Sequence, residues 1–198
     1  MRPRVWLAAI LVALLQTGVI AYIIVNRAIH LAHGREIVLD VIPVDPRDLL
    51  RGDYVRLSYP ASRLNGSIVH FPAPPESGMP IFVTLERQGQ APADKWVAVA
   101  ASTERPALPE TEGKIVLRGD LETWYLRDQA GRAKLSAEDH INVNYGIETY
   151  FIPEGTGAAL ERMTREGAVK TIVNVDGNGR AAIKGLIVDG ERHYETLF

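Results

Sequence analysis

A chain of 198 residues has room for one domain of ordinary size plus an appendage. Its 22 basic and 24 acidic side chains leave a net charge of −2, so charge argues for neither nucleic acid nor a strongly acidic partner. The absence of cysteine excludes disulfides, thiolate metal sites and a cysteine nucleophile, but leaves the compartment open.

Residues 5–25 are apolar apart from Gln16, Thr17 and Gly18. As a helix these 21 residues span about 31 Å at about 1.5 Å per residue, close to the hydrocarbon thickness of a bilayer. Trp6 and Tyr22 lie near its two ends, where aromatic rings favour the membrane interface. Two other readings compete: a cleaved signal peptide with a weak site near Val19-Ile20-Ala21, and a buried core helix. The apolar run continues past that site and is long for the core of so small a domain. A single-pass, uncleaved signal anchor is therefore the expectation, with residues 5–25 in the lipid bilayer. Arg2, Arg4 and the amino terminus outweigh Arg27 and Arg35, which places the N-terminus inside and the remainder outside the cytoplasm. In a Gram-negative cell this means an inner-membrane protein with a periplasmic C-terminal domain. Residues 26–33 extend the helix to Gly34, read as its C-terminal cap. His30 and His33 are read as interfacial residues.

From 35 onward, short runs rich in Val, Ile, Thr and Tyr alternate with Gly, Pro, Asn and Asp. Runs 36–44, 53–59, 67–71, 81–86, 96–101, 114–125, 141–144, 168–175, 181–188 and 192–196 read as strands. Asp176-Gly177-Asn178-Gly179 and Asp189-Gly190 are hairpin signals, so the last three strands form a meander. Residues 157–166 alone read as helix. The expected fold is mainly β: a transmembrane segment in 1–34, then an antiparallel barrel- or sandwich-like domain in 35–198 with one short helix.

Asp176-Gly177-Asn178-Gly179-Arg180 opens like a calcium loop, but Ile187 stands where a bidentate glutamate is required, so it reads as a turn. Gly155-Thr156-Gly157 lacks the Lys-Ser/Thr of a phosphate loop. No metal or cofactor is expected. In 53–59, strand alternation sets Val55, Leu57 and Tyr59 on a core face and Tyr54, Arg56 and Ser58 outward.

Gly52-Asp53-Tyr54-Val55-Arg56-Leu57-Ser58-Tyr59 spells Gly-Asp-Tyr-x-x-Leu-x-Tyr and resembles the signature of the GDYXXLXY family of small, membrane-anchored bacterial proteins. A second stretch, Tyr145-Gly146-Ile147-Glu148 followed by Phe151-Ile152-Pro153-Glu154-Gly155, is similar to that family too, and together they extend the likeness over most of 36–198. The resemblance implies no catalytic activity. It implies an envelope-anchored accessory or interaction module whose partner is a multi-spanning membrane protein, often encoded beside it. The region 43–55 is also similar in layout to the nucleophile region of signal-peptidase-like serine proteases. There, Arg47 and Asp48 stand where the serine and methionine belong, and no lysine pairs with a hydroxyl by spacing. A signal-peptidase-like hydrolase, a carboxylate-based hydrolase around Asp53 and Glu148, or a small-ligand or ion sensor stays open as an alternative.

Both stretches combine tyrosine with carboxylate beside a glycine. They are expected to meet in space as an interaction surface or polar groove drawing on Asp45, Arg47, Asp48, Arg51, Gly52, Asp53, Tyr54, Arg56, Tyr145, Gly146, Glu148, Tyr150 and Glu154.

Overall fold

The computed structural model describes residues 3–42, 54–72, 75–89, 95–107, 113–122, 138–152 and 157–194. It opens with helix α1, Pro3–His33, whose 31 residues extend about 46 Å at about 1.5 Å each. Within it Ala8–Val25 has a mean hydropathy of 2.4, and none of that stretch is buried by the rest of the chain. This helix is long and apolar enough to cross a membrane. Apart from Gln16 and Thr17 its described side chains are apolar, with no single apolar stripe.

Gly34 ends the helix for a reason other than the one its position suggests. Its φ is not positive, so it is no left-handed cap. A Cβ there would stand 2.2 Å from Asn174 Nδ2 and 2.8 Å from the Val175 carbonyl oxygen. The missing side chain lets the helix exit press against a strand.

Among the described residues twelve strands follow: β1 (Arg35–Asp40), β2 (Tyr54–Arg56), β3 (Arg63–Asn65), β4 (Val69–His70), β5 (Pro80–Gln88), β6 (Lys95–Ser102), β7 (Lys114–Glu122), β8 (His140–Asn144), β9 (Thr149–Phe151), β10 (Val169–Val175), β11 (Ala181–Val188) and β12 (Glu191–Tyr194). They form a four-stranded sheet β1-β10-β11-β12, a ribbon β2-β9, and a six-stranded sheet β3-β8-β7-β5-β6-β4. Every pairing between these strands is antiparallel except β4 with β6.

The six-stranded sheet is nearly a closed barrel because its two edge strands are consecutive in the chain. Only the 3-10 turn Gly66–Ile68 separates β3 from β4, and Asn65 caps that turn by accepting the Ser67 N–H at 2.9 Å. The sequence reading had Ser67 and Ile68 in a strand; this cap turns them away from it. Closure stays incomplete, since β4 pairs with β6 only at Ala101 and Ser102.

The C-terminal meander forms as the turn residues dictate. Asp189 and Gly190 both have positive φ, the requirement of a two-residue type I′ hairpin. At the β10–β11 turn the Asp176 carboxylate accepts the N–H groups of Asn178 and Arg180, each at 2.8 Å. The tip is tied to β7, where the Arg118 N–H donates to the Gly179 carbonyl at 2.7 Å. Helix α2, Gly157–Arg165, ends in a Schellman motif: Ala168 N–H to Met163 O and Gly167 N–H to Thr164 O, with Gly167 at φ +74°. It packs on β2 and β10. The core gathers residues from all three sheets, among them Leu39, Leu57, Leu64, Leu85, Leu117, Ile147 and Val173.

Candidate functional site

The first signature segment begins as a strand with one face inward. Val55 and Leu57 are buried and Arg56 between them is exposed, as period-two alternation requires. The ladder is brief: Tyr54, Val55 and Arg56 pair with Phe151, Tyr150 and Thr149 of β9. Beyond it, the Leu57 N–H donates to the Glu148 carbonyl at 2.9 Å, and Ser58 bridges to Ile42 just past β1. Tyr59 is 1% exposed, and Pro60 after it opens a 3-10 turn that closes with the Ser62 N–H on the Tyr59 carbonyl. Proline at the first position of that turn suits its fixed φ and missing N–H.

The second segment is a turn between β8 and β9. Gly146 has φ +77°, a conformation costly for any residue with a Cβ. Two side chains hold the turn: Asn144 Oδ1 accepts the Gly146 N–H at 2.8 Å, and Glu148 Oε1 accepts the Tyr145 N–H at 2.7 Å. With its carboxylate so engaged, Glu148 acts as a local cap on the turn.

The segments are fastened by a reciprocal exchange. The Tyr59 hydroxyl donates to the Ile147 carbonyl at 2.7 Å, and the Tyr145 hydroxyl donates to the Ala61 carbonyl, also at 2.7 Å. Each segment sends one phenol into the other's backbone, satisfying a carbonyl that no ladder reaches. Gly119 makes room for this: a Cβ there would meet Val143 Cγ1 at 2.5 Å and Tyr145 Cδ1 at 3.0 Å.

Burial pushes both phenols well above the ordinary tyrosine range. For Tyr59 the neighbouring Thr171 hydroxyl partly opposes that, although it makes no hydrogen bond of proper geometry, and the Glu148 carboxylate adds to the rise. For Tyr145 the Glu148 carboxylate adds to burial directly. Both tyrosines are therefore neutral donors at physiological pH and unsuited to acid–base work.

Of the residues expected to line a groove, Asp45, Arg47, Asp48, Arg51, Gly52, Asp53 and Glu154 lie outside the described residues. Tyr54, Arg56, Tyr145, Gly146, Glu148 and Tyr150 are brought together. Tyr145 is in the core, not at a surface, because it continues the inward phase of Ile141 and Val143 just past the end of β8. Tyr150 is half-buried against the same core. Arg56 is exposed, and so is Thr149, its partner across the ribbon.

One residue of this ribbon was missed. Phe151 is 80% exposed, the most exposed of the large hydrophobic side chains among the described residues. The signal was present in Thr149-Tyr150-Phe151, where a half-buried central tyrosine sets the flanking phenylalanine on the opposite face. Among the described residues, no group of three or more His, Asp or Glu side chains is placed to hold a metal ion.

Comparison with known proteins gives one match. The sequence model of a family described as GDYXXLXY protein matches residues 16–186. No curated protein and no solved structure matches the chain.

Proposed function

The chain belongs to the GDYXXLXY family, and from that premise we propose that it is a non-enzymatic accessory module of the cell envelope. In this reading α1 is an uncleaved anchor in the bacterial inner membrane. The β-rich part stands in the periplasm and works by contact with a multi-spanning membrane protein in the same bilayer.

The observation that carries this reading is the exposed Phe151 on a ribbon whose base is fixed by buried tyrosines. An aromatic side chain left in water costs solubility, and rigid aromatic anchors are the residue type around which protein interfaces concentrate their binding energy. Arg56 and Thr149 beside it supply the polar rim such an anchor needs. A hydrolytic role draws no support from Tyr59 or Tyr145, whose hydroxyls are spent on carbonyls.

Two measurements on the full-length protein test the reading. Phe151→Ala is expected to reduce co-purification of an integral membrane protein about tenfold or more, as loss of a central anchor would, without changing the melting temperature. Unchanged co-purification would sink the interaction role. Because the chain has no cysteine, a single Thr149→Cys offers a unique label site for a membrane-impermeant maleimide. Labelling of intact spheroplasts is expected; labelling only after lysis would overturn the periplasmic placement.

A further inference from the structure

The barrel has a seam, and its chemistry is separate from the ribbon of the signature segments. Strand β6 pairs with β5 from Lys95 to Ser102 on one edge. On its other edge only Ala101 and Ser102 have a ladder partner among the described residues, because β4 is two residues long. Residues 95–100 have no ladder partner on that side among the described residues. Across the gap, β3 pairs with β8 on one edge and ends the sheet on the other. The 3-10 turn Gly66–Ile68 takes the chain off the line along which β4 would have continued beside β6.

Between these edges lies a cleft of about 360 Å³, within the size range of ligand sites. Its walls include residues 63–65 of β3 and residues 95–98 of β6 in unbroken succession. Side chains of consecutive strand residues point to opposite faces. A cavity that touches every one of them therefore meets the strand along its edge, where the N–H and C=O groups lie.

The charge at this edge has one sign to spare. Arg63 and Lys95 are exposed at the cleft and make no ion pair with any described residue. Asp40, the one acidic residue in its wall among the described residues, is already matched by Lys170 at 3.0 Å. Trp96 contributes an aromatic wall, with the Arg35 guanidinium 5.4 Å from its ring centre.

We propose that this seam is a peptide-binding site that takes an extended, acidic segment of another protein by strand addition to β6. The open backbone edge supplies main-chain hydrogen bonds, the recurrent basis of such recognition. Arg63 and Lys95 select for carboxylates on the added strand, and the occupied seam completes the barrel. An unprotected edge is otherwise a hazard that folded proteins cover, twist or charge. Here the charge is placed so that it repels basic strands and admits acidic ones.

The test uses full-length protein in detergent and a blocked, fluorescent peptide in which valine alternates with glutamate. Saturable binding is expected by anisotropy. Replacing glutamate by lysine, or methylating alternate backbone amides, is expected to weaken it about tenfold each. The double substitution Arg63→Glu with Lys95→Glu should reverse the preference to the lysine peptide at unchanged melting temperature. Phe151→Ala should leave binding as it was, so the result stands apart from any contact made by the ribbon. Equal binding of the native and N-methylated peptides would show mere charge attraction and overturn strand addition. So would the absence of saturable binding up to millimolar peptide.

Discussion

At the junction of the signature segments, backbone groups and both tyrosine hydroxyls find partners inside the protein; at the seam between β3 and β6, strand edges face a cleft and stay open. Both places join parts of the chain distant in sequence. The first is shut off from water, so each buried polar group there must be paired or cost stability. The second borders a cleft, where N–H and C=O groups without a ladder partner can be satisfied by solvent or by a ligand. If the proposals above hold, the buried junction serves stability, while its outer ribbon and the seam serve recognition.

The hardest way to break this contrast is to remove a tyrosine. Tyr145→Ala empties a buried site and orphans the Ala61 carbonyl, with an expected loss of about 3–5 kcal/mol in urea melts. Tyr145→Phe keeps the ring and loses only the hydrogen bond, so about 1–3 kcal/mol is expected. Lys95→Glu at the seam should change stability by less than about 0.5 kcal/mol. If the seam substitution cost as much as Tyr145→Phe, the two regions would not differ in the way described.

How much of this was legible beforehand follows from which signals are local. The alternation of Val55, Leu57 and Tyr59 toward the core could be read directly, since a strand with one buried face carries a period of two. The Asp189-Gly190 hairpin and helix α2 were legible for similar reasons: turn chemistry in one, apolar spacing in the other. The meeting of residues 54–59 with residues 145–151 followed from the shared composition of the two segments, whereas the expected reach of Arg51 or Asp53 lies outside the described residues, and the means of the meeting could not be read. Carbonyls of Ala61 and Ile147 have no sequence signature, and only tertiary pairing reveals that they need a donor. Strands β3 and β9 were invisible because three residues are too few for a periodic pattern. A barrel-like sheet was among the expectations, but which strands close it was not legible, because closure depends on pairings such as Leu64 with Ile141, far apart in the chain.

Alkaline titration sharpens the contrast without mutation. Tyr59 and Tyr145 have folded-state pKa values raised above the ordinary value of about 10, so the unfolded chain loses its phenolic protons first. The stability tied to these protons is therefore fully present below pH of about 10. It is lost as pH rises beyond that, at up to about 1.4 kcal/mol per pH unit for each tyrosine. The double variant Tyr59→Phe with Tyr145→Phe should begin less stable yet lose less over the same alkaline range. Parallel curves for the two proteins would mean that other groups control alkaline unfolding.

A smaller effect than that of either tyrosine comes from a polar contact outside the core. Glu36 on β1 accepts from Lys184 at 2.9 Å and from Arg192 at 3.0 Å, tying three strands of the four-stranded sheet. Partial burial pushes its carboxyl up, but the hydrogen bond and charge of Lys184, joined by those of Arg192, outweigh burial and hold its pKa below the ordinary value. A depressed carboxylate contributes stability above its unfolded pKa of about 4.3 and loses it as pH falls through the lower, folded value. Its side chain is 30% exposed, so solvent screens the attraction and a contribution of about 1 kcal/mol or less is expected. Glu36→Gln should therefore lower the melting temperature slightly at pH 7, weaken the dependence on acid below pH of about 4, and matter less at high salt. The buried tyrosine bonds should be indifferent to salt. A Glu36→Gln loss as large as that of Tyr145→Phe would show that the outer ion pairs, and not the buried exchange between the signature segments, hold this fold together.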